Sequence, residues 1–390
     1  MIKEIFCYAD DVTGALDVAG SFYSRGYQTA VQIERNVFNI PQTPCFVVNL
    51  NSRYDDPIIS AEKMSKAFCG ISLESGTPIF LKVDSTLRGN IVSDSQVLEK
   101  LVGNKPVFIA PSFPFYERTC VNGVYLVNGQ YIMQTEFAVD KAFHYSSSFL
   151  NDNRPDIEHV DWRVLDRGID AIISRVVSSE RKRFSFDTRN QTDLELIANA
   201  GLSIGASMIG SSGLARAFPK NLSPQILFNT DNSMPVLFVI GSIHQVARAQ
   251  KKQLVKSGIV GVELSYQDIG NTQALQDIKE ALQEYLETER AVFITTPDKV
   301  INDEVFWREI EDSIAGVTNI KGGHNLVIVG GETARATLRG RSIEILQIRS
   351  EYTPGIPIST ELQKTDALIT KAGGFGHPNT LVDISHFLCR

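Results

Sequence analysis

Cysteine is scarce in this sequence and shows none of the spacings that bind metals or build a disulfide framework. The chain of 390 residues has five cysteines, scattered and odd in number, with no C-x-x-C pair. Its six histidines include no H-x-x-x-H pair. Because zinc sites and disulfide scaffolds need such spacings, the sequence predicts reduced thiols in a cytoplasmic protein and assigns no metal ligands.

Long apolar runs and a surplus of positive charge are also absent. No apolar run approaches the roughly 20 residues that a helix needs to cross a bilayer, so we expect no membrane partner. The formal net charge is -7, whereas a nucleic-acid-binding protein usually shows a basic surplus or stripe, so we expect no nucleic acid either. A chain with this charge binds an anion only where its cations are concentrated locally.

Length and composition predict a globular protein of two domains. Hydrophobic residues make up 43% and charged residues 21%, and 390 residues exceed one ordinary core. Strand-like and helix-like segments alternate, which favours an α/β fold with a mostly parallel sheet flanked by helices in each domain. A stretch rich in Pro, Asn and Asp predicts the boundary. We expect an N-terminal domain over residues 1–220, a linker over 221–235 and a C-terminal domain over 236–390.

The polar segment Leu81–Asn90 follows an apolar strand-like run and precedes a helix-like pattern. Open α/β sheets bind ligands at this carboxyl end of a strand. Lys82 and Asp84 would share one face of the strand, and Arg88 adds a second cation. Such a set suits an anionic, hydroxylated small molecule. A surface loop with a Lys–Asp–Arg salt bridge and a Ser/Thr helix cap explains the same residues and stays open.

Other predicted strands also end in polar residues. Asp10 and Asp11 follow a strand over Ile5–Ala9, and two adjacent carboxylates repel each other unless a cation or ligand compensates. The alternative is that Asp10 bonds backbone amides in a turn while Asp11 caps the next helix. Arg53 follows a further strand over Cys45–Leu50. A series of such strand ends predicts one site along one edge of a sheet.

Three strand-to-helix turns of the C-terminal half contain glycine. They are Gly241-Ser242, Gly330-Gly331-Glu332-Thr333 and Lys371-Ala372-Gly373-Gly374-Phe375-Gly376. Amides at a helix N-terminus favour an anion, and glycines let the backbone approach a nucleotide closely. None of the turns is a Walker A loop or a G-x-G-x-x-G fingerprint. The pattern indicates phosphate or nucleotide binding in this half without either motif.

Two shorter patterns give local expectations in the N-terminal half. Asn128-Gly129 lies between strand-like runs within Gly123–Phe137, which predicts a hairpin. The segments Val160–Leu165 and Arg183–Asp187 are predicted as two more strands.

Taken in order, these motifs resemble the four-carbon acid sugar kinase family. The resemblance covers nearly the whole chain through seven short segments: Ala9–Ala15, Asn49–Arg53, Lys82–Asn90, Ala110–Pro114 with Arg118 and Gly123, Gly241-Ser242 with Gln250, Gly330–Thr333 and Lys371–Gly376. One short motif would be weak, whereas seven in family order are specific. The sequence departs from the family pattern at Glu117, where Gly is usual, at Ala372, where Ser is common, and at Ile358, where Trp is frequent.

The resemblance implies an N-terminal domain that binds a four-carbon sugar acid and a C-terminal domain that binds ATP. It implies ATP-dependent phosphorylation of the terminal hydroxyl, giving the 4-phosphate of an acid such as D-threonate, D-erythronate or 3-oxo-tetronate. By motif, the acid would contact Asp10, Arg53, Lys82, Val83, Asp84 and Ser85. ATP would contact Ser242, Gly330, Gly331, Glu332, Thr333 and Gly373.

Phosphoryl transfer needs positioning and charge neutralisation more than covalent chemistry. Arg53 and Lys82 are expected to bind the substrate carboxylate or the migrating phosphoryl group. Asp84 is the first choice to orient the attacking hydroxyl and take its proton, with Asp10 or Asp11 as the rival. Mg²⁺ is expected with ATP, often with few protein ligands. The two domains are expected to face each other and to close around the γ-phosphate.

Two interpretations from other classes remain. A sensor would bind the acid and the nucleotide without turnover, although it would not need to keep Asp84 beside Lys82. An acid-sugar phosphatase is disfavoured because Asp10 and Asp11 are adjacent, whereas a D-x-D nucleophile loop places them two apart. The stereoisomer of the acid stays open, and a homodimer is the working expectation for the assembly.

Overall fold

The computed structural model describes residues 2–34, 43–69, 76–140, 142–150, 154–221, 231–297 and 304–389. The chain divides into two compact units. The first comprises Met1–Ala30 and Ile40–Gln225, and the second comprises Val31–Asn39 and Ile226–Arg390. Most of the predicted linker over 221–235 lies outside the described residues.

The elements between residues 5 and 215 are mostly strands that alternate with helices, apart from a run of successive strands between residues 107 and 160. The strands are β1 Ile5–Ala9, β2 Thr29–Gln32, β3 Cys45–Asn49, β4 Ile79–Lys82, β5 Val107–Ala110, β6 Arg118–Val121, β7 Val124–Val127, β8 Gln130–Tyr131, β9 Ile157–Val160, β10 Arg183–Phe186 and β11 Ser207–Gly210. The helices are α1 Val12–Ser24, α2 Pro57–Cys69, α3 Ile91–Val102, α4 Trp162–Leu165, α5 Ile169–Val177, α6 Gln191–Ser203 and α7 Ser212–Ala215.

A parallel sheet forms the centre of the first unit, with the strand order β3-β1-β4-β11-β5-β10-β9. The chain passes from β1 to β3 on one side and later to β4 on the other, so the strand order reverses at β1. In doubly wound sheets, ligands bind beyond the carboxyl ends of the strands at such a reversal. The fold therefore directs attention to the ends of β1, β3 and β4.

Helix α1 is fixed against the middle of this sheet by aromatic packing. Phe22 of α1 meets Phe80 of β4 and Phe218 edge to face, with ring centroids 5.4 and 5.2 Å apart. All three side chains are fully buried, and each residue of β1 is buried as well. A parallel strand covered on both faces is apolar along its whole length, which explains the continuous apolar run of β1. The packing holds the N-terminus of α1 at the edge where β1 ends.

The predicted hairpin is confirmed. Asn128 and Gly129 have φ angles of 51° and 75° and connect β7 to β8. Strand β7 pairs in antiparallel fashion with both β6 and β8 in a small second sheet. Two consecutive residues with positive φ match the twist of a two-residue hairpin. Residues 132–139 continue as two 3-10 turns instead of a strand.

The predicted strand over Val160–Leu165 is wrong beyond its first residue. Strand β9 ends at Val160 and helix α4 begins at Trp162. Asp161 causes the change, since its Oδ1 accepts hydrogen bonds from the backbone amides of Arg163 and Val164 at 3.0 and 3.3 Å. Such a cap satisfies amides that have no partner in the first turn of a helix. The neighbouring prediction is confirmed, because β10 covers Arg183–Phe186.

The second unit repeats the α/β pattern. Its strands are β12 Val236–Ile240, β13 Val260–Glu263, β14 Ala291–Thr295, β15 Asn325–Val329, β16 Ile345–Thr353, β17 Ile356–Glu361 and β18 Leu368–Lys371. Its helices are α8 Gln245–Lys256, α9 Thr272–Thr288, α10 Glu304–Thr318, α11 Gly331–Gly340 and α12 Thr380–Leu388. No helix in the described part of the chain is long and apolar enough to cross a bilayer.

The sheet of this unit is mostly parallel, with the order β13-β14-β12-β15-β18-β17-β16. The first five strands run parallel, and β17 is antiparallel to both β18 and β16. Helices α8 and α12 pack on it through a buried core that includes Leu254 and Leu381. The strand order reverses at β12, which lies between β14 and β15. The predicted class, α/β with mostly parallel sheets flanked by helices, is confirmed.

Candidate active site

Register brings three polar segments of the first unit to one edge. Ala9 of β1 pairs with Asn49 of β3 and with Lys82 of β4. The residues that follow these three positions leave the sheet together at its carboxyl edge. The predicted series of strand ends therefore lies at the reversal of strand order, where the fold favours a ligand.

Arg53 binds both N-terminal carboxylates. Its Nε and Nη2 atoms donate to Oδ2 and Oδ1 of Asp10 at 2.9 and 2.7 Å, and Nη2 lies 2.7 Å from Oδ1 of Asp11. All three side chains are buried. The guanidinium supplies the compensating charge that two adjacent carboxylates require. Asp10 uses both of its oxygens for Arg53, in contrast to the alternative in which it bonds turn amides.

Asp11 caps helix α1 and also remains in the cluster. Its Oδ1 accepts a hydrogen bond from the backbone amide of Gly14 at 2.8 Å, and its Oδ2 accepts one from the Thr13 hydroxyl at 2.6 Å. A Cβ at Gly14 would lie 2.4 Å from Asp11 Oδ1 and 3.2 Å from Lys82 Nζ, so this close approach requires glycine. The capping interpretation is correct for Asp11, and it coexists with the ion pair to Arg53.

Burial and neighbouring cations shift the pKa values of the two aspartates in opposite directions. Burial raises the pKa of Asp10, and Arg53 offsets only part of that effect. Burial also acts to raise the pKa of Asp11, but Arg53, Lys82 and two hydrogen bonds outweigh it, so this pKa is lowered. Neighbouring groups with such divergent pKa values are typical of functional sites.

Asp84 lies past the end of β4, so it does not share a strand face with Lys82. Its oxygens Oδ2 and Oδ1 accept hydrogen bonds from Nε and Nη2 of Arg88 at 2.9 and 3.1 Å. The amide of Thr86 donates to Oδ2 at 3.1 Å, and the Thr86 hydroxyl donates to the same oxygen. Burial would raise the pKa of Asp84, but Arg88 and then Arg53 hold it well below its usual range. Asp84 is therefore a firmly ionised hydrogen-bond acceptor.

Lys82 is a buried cation that no carboxylate neutralises directly. Its side chain is 4% exposed, and its Nζ donates to the backbone oxygen of Val83 at 2.9 Å. Among the described residues it forms no ion pair, so the Lys–Asp–Arg bridge considered from the sequence reduces to the pair of Asp84 and Arg88. An ammonium group has three donors, and the remaining ones suit an anionic ligand. Val83 itself is buried, and its amide donates to Gly210 of β11 at 3.0 Å.

Asp140 and Phe137 lie beside this loop, and the spacing of residues in the sequence does not reveal them. Arg88 also pairs with Asp140 at 3.2 Å, and the guanidinium carbons of Arg88 and Arg118 lie 5.5 and 5.6 Å from the ring centre of Phe137. Arg118 donates to the hydroxyl of Ser85. Asp140 and Phe137 belong to the irregular segment after the hairpin, whose sequence carries no signal that it folds back.

Asp17 is a third residue that sequence reasoning missed. It lies three positions after Gly14 on α1, is 7% exposed, and interacts electrostatically with Lys82 and Asp11. Helical spacing contains the signal, because residues three apart on a helix lie on the same face. Gly14 lies against Lys82, so Asp17, on the same face of α1, lies on the side of the helix that faces the site.

A second set of turns meets in the C-terminal unit. Ile240 of β12 pairs with Val329 of β15, which pairs with Lys371 of β18. The next residues along the three strands are Gly241, Gly330 and Ala372. The three glycine-containing turns predicted from the sequence therefore lie side by side at the carboxyl edge of this sheet, where the strand order reverses at β12.

These turns are packed so closely that side chains would not fit. A Cβ at Gly373 would lie 1.9 Å from Ser242 Oγ, and a Cβ at Gly241 would lie 2.0 Å from Thr333 Oγ1. Gly330 has a φ of 113°, a conformation that L side chains rarely adopt. The arrangement brings Ser242, Thr333 and the backbone of three turns together, as a phosphate-binding site requires.

Helix α11 begins at Gly331, so Gly331, Glu332 and Thr333 form its first turn and not a loop. The carboxylate of Glu332 pairs with Arg335 at 2.7 Å. The free amides of this turn, more than the Glu332 side chain, are the groups that suit a phosphate.

The side chains of Lys371 and Gln250 stabilise the glycine-containing turn after β18 by hydrogen bonds to its backbone oxygens. Lys371 Nζ donates to the backbone oxygens of Ala372 and Phe375 at 2.9 and 2.8 Å, and Gln250 Nε2 donates to the oxygen of Phe375 at 3.0 Å. Burial lowers the pKa of Lys371 to about 7. A shallow cleft lies over the turn that follows β12 and is lined by Ser242, Arg248, Lys251 and Thr296.

The described part of the chain offers no preformed metal site. In the described ranges, no group of three or more His, Cys, Asp or Glu side chains is placed to hold a metal ion. Mg²⁺ that arrives with a nucleotide is held largely by phosphates and water, so it needs few protein ligands.

Comparison with known proteins assigns a family model to each half of the chain. Residues 5–218 match the family model of a sugar-binding N-terminal domain, and residues 237–381 match that of a nucleotide-binding C-terminal domain. The D-threonate kinase of Salmonella typhimurium is 27% identical over 97% of both chains. The 3-oxo-tetronate kinase of Brucella melitensis is 24% identical over 94% of this chain and 92% of its own.

Solved structures share the fold. A Salmonella typhimurium LT2 protein superposes with a TM-score of 0.83 at 18% identity, covering 98% of both chains. A Haemophilus influenzae protein superposes with a TM-score of 0.74 at 18% identity, covering 99% of this chain and 100% of its own. The fold, the two matched domains and the kinase relatives define a two-domain α/β phosphotransferase. The chain belongs to the four-carbon acid sugar kinase family, as its motifs predict.

Proposed function

We propose that this protein uses ATP to phosphorylate the terminal (4-) hydroxyl of a four-carbon sugar acid, giving the 4-phosphate. D-threonate, D-erythronate and 3-oxo-tetronate are the candidate acids. Curated relatives named D-threonate kinase and 3-oxo-tetronate kinase support this class of acceptor. Their identities of 24 to 27% leave the choice among the acids open.

Lys82 carries the proposal. It is a buried ammonium group at the carboxyl edge of the sheet and forms no ion pair among the described residues. Asp10, Asp11 and Asp84 are held by Arg53 or Arg88, and Asp17 interacts with Lys82 only at longer range. A buried cation without its own counterion is costly, and an anionic ligand removes that cost. The carboxylate of a sugar acid, or the phosphoryl group that reaches it, supplies the missing charge.

The other residues of the first unit take supporting roles in the proposal. Arg53 fixes Asp10 and Asp11, and Asp11 keeps α1 anchored beside Lys82. Asp84 is held by Arg88 and offers its remaining acceptor capacity to orient the attacking hydroxyl. Val83 and Ser85 belong to the same loop. The backbone oxygen of Val83 accepts a hydrogen bond from Lys82, and Arg118 donates one to the hydroxyl of Ser85.

ATP is proposed to bind at the turns of the second unit. Ser242, Thr333 and the backbone of Gly330, Gly331 and Gly373 would surround its phosphates, with the amide of Glu332 in the first turn of α11. We therefore propose an acid-binding domain over residues 1–220, a linker over 221–235 and a nucleotide-binding domain over 236–390. Mg²⁺ would enter with the nucleotide.

The test is ADP release by the purified protein with Mg-ATP and a panel of four-carbon sugar acids, with five- and six-carbon acids as controls. We expect turnover with one or a few four-carbon acids and little with the longer ones. Nucleotide binding by calorimetry without turnover on any acid would contradict the kinase and favour the sensor. Turnover confined to the longer acids would contradict the substrate class alone.

A further inference from the structure

Asp17 differs from every other buried carboxylate of the acid-binding edge. Both oxygens of Asp10, Asp11 and Asp84 accept hydrogen bonds or ion pairs. Asp17 Oδ1 is buried and has no hydrogen-bond partner among the described residues. A buried acceptor without a partner costs about 1–3 kcal/mol, so natural proteins retain few of them without a reason.

The hydroxyl of Ser212 is a second unpartnered group at the same place. Ser212 follows β11, whose last residue Gly210 pairs with Lys82, and it is fully buried at the start of α7, which packs against α1. Its Oγ forms no well-aligned hydrogen bond with a described residue, and its hydroxyl lies close enough to Asp17 for a weak hydrogen bond that lowers the pKa of that carboxyl. A carboxylate oxygen without a partner and a hydroxyl that is only weakly bonded to the same carboxylate thus lie close together near Lys82.

A hydroxyl group of a ligand would satisfy both atoms at once. It can donate to a carboxylate and accept from a serine hydroxyl. Carboxylates such as Asp11 and Asp84, whose pKa values neighbouring cations lower, hold a proton poorly, whereas burial raises the pKa of Asp17. A general base works best when its pKa lies nearer the working pH. The charged groups whose interactions with Asp17 are resolved are Lys82, Arg216, Asp11 and Arg118.

We propose that Asp17 and Ser212 bind the hydroxyl group that receives the phosphoryl group and that Asp17 is the base that takes its proton. This inference rests on the proposed kinase function and leaves Asp84 to orient the hydroxyl. In the step, the hydroxyl oxygen forms a bond to the γ-phosphorus, and its proton passes to the Asp17 carboxylate. The bond between the γ-phosphorus and the bridging oxygen of ATP breaks, and ADP leaves with that electron pair.

The experiment compares Asp17→Asn, Ser212→Ala and the wild-type enzyme in turnover with Mg-ATP and the preferred acid across a range of pH. Asp17→Asn is expected to lower kcat by about 10²-fold or more, to leave KM for ATP unchanged and to remove the acidic limb of the pH profile. Ser212→Ala is expected to raise KM for the acid several-fold and to keep that limb. Asp94→Asn is the matched control, because Asp94 is a buried aspartate of the same unit that accepts from Ser60 at 2.8 Å and has its pKa raised to about 7.

Several outcomes would overturn the role of Asp17. One is an Asp17→Asn variant that keeps kcat within about threefold of wild type, and another is an unchanged acidic limb. If Asp17→Asn does not fold, Ser212→Ala decides, and an unaltered KM for the acid would overturn the proposal. A wild-type protein that is inactive with every acid would remove the kinase function and this inference with it. An active wild type beside an unaffected Asp17→Asn variant removes only the inference.

Discussion

Arg53 meets Asp10 with two parallel hydrogen bonds, although the two residues lie 43 positions apart and follow different strands. The same guanidinium reaches Asp11, so one cation serves two adjacent carboxylates. The geometry depends on the planar fork of arginine, which an ammonium group does not provide. The edge of the first sheet is thus organised around this one side chain.

Replacing this arginine tests that dependence. Arg53→Lys keeps the charge but loses the paired geometry, so we expect the free energy of unfolding to fall by about 1–3 kcal/mol. Denaturant unfolding followed by circular dichroism measures the change. Arg163→Lys is the control, since Arg163 pairs with Asp161 at the surface and its side chain is 63% exposed. Equal losses in the two variants would contradict a special role for the fork geometry.

The close packing of the C-terminal turns predicts a selective defect in nucleotide binding. In Gly373→Ala the new methyl group would lie 1.9 Å from the Oγ atom and 2.9 Å from the Cβ atom of Ser242, so one of the two turns has to move. Overpacking of this kind costs about 1–3 kcal/mol, and we expect ATP affinity to fall about tenfold. Calorimetry with ATP and separately with the acid distinguishes the two sites, because affinity for the acid should not change.

A matched glycine controls for general effects of the substitution. Gly316 of α10 has no atom within 4 Å of an added Cβ, so Gly316→Ala should leave ATP affinity as it is. Loss of acid affinity in Gly373→Ala, equal to the loss of ATP affinity, would show that the assignment of ATP to these turns is mistaken.

The sequence predicted what depends on local pattern and strand order. The ends of β1, β3 and β4 carry the polar residues, and parallel pairing in register brings Asp10, Arg53 and Lys82 to one edge. The prediction of a strand over Val160–Leu165 failed because Asp161 caps a helix that begins at Trp162. A pattern of only six residues does not distinguish a strand from a short helix.

The sequence did not predict which charged side chains pair with each other. Nothing in the spacing of the charged residues indicates that Asp84 selects Arg88 and leaves Lys82 without a carboxylate. This pairing depends on the residue at which β4 ends, because successive side chains of a strand point to opposite faces of the sheet. Asp17 lay within a helical pattern, and only burial reveals that its Oδ1 has no partner.

Glu117 is a departure from the family pattern that the backbone explains. It has a φ of 54° after the 3-10 turn Pro114–Tyr116, at a position where the motif resemblance leads us to expect glycine. A residue with a Cβ is strained in this conformation by about 1 kcal/mol or more, of which glycine recovers a part after its larger loss of chain entropy. We expect Glu117→Gly to raise the free energy of unfolding by about 0.5–1 kcal/mol, measured by denaturant unfolding.

Two further variants separate conformation from charge at this exposed position. Asparagine tolerates the left-handed region better than most residues, so Glu117→Asn should be intermediate, and Glu117→Ala should show no gain. Similar stability in the Gly and Ala variants would mean that loss of the carboxylate, and not relief of strain, is responsible.

The lowered pKa of Lys371 predicts how the free energy of unfolding of the second unit depends on pH. Burial lowers its pKa to about 7 in the folded protein, whereas an unfolded lysine has its usual value near 10.5. Below about pH 7 the ammonium is charged in both states, and the folded state bears the full cost of burying it. Between these two pKa values the unfolded chain binds more protons, so the free energy of unfolding rises with pH. A neutral amine has two N–H donors, which match the two short bonds to Ala372 and Phe375.

Lys371→Met removes this titration. Relative to the variant, the wild-type protein should gain about 2–3 kcal/mol of unfolding free energy from about pH 7 to about pH 9, because each unit between the two pKa values contributes about 1.4 kcal/mol. Denaturant unfolding of both proteins at several pH values measures the difference. Lys364→Met is the control, since Lys364 pairs with Glu361 with a half-exposed side chain, and its difference from wild type should not vary in this way. A difference between wild type and Lys371→Met that stays constant with pH would mean that Lys371 remains charged when folded, held by the turn carbonyls alone.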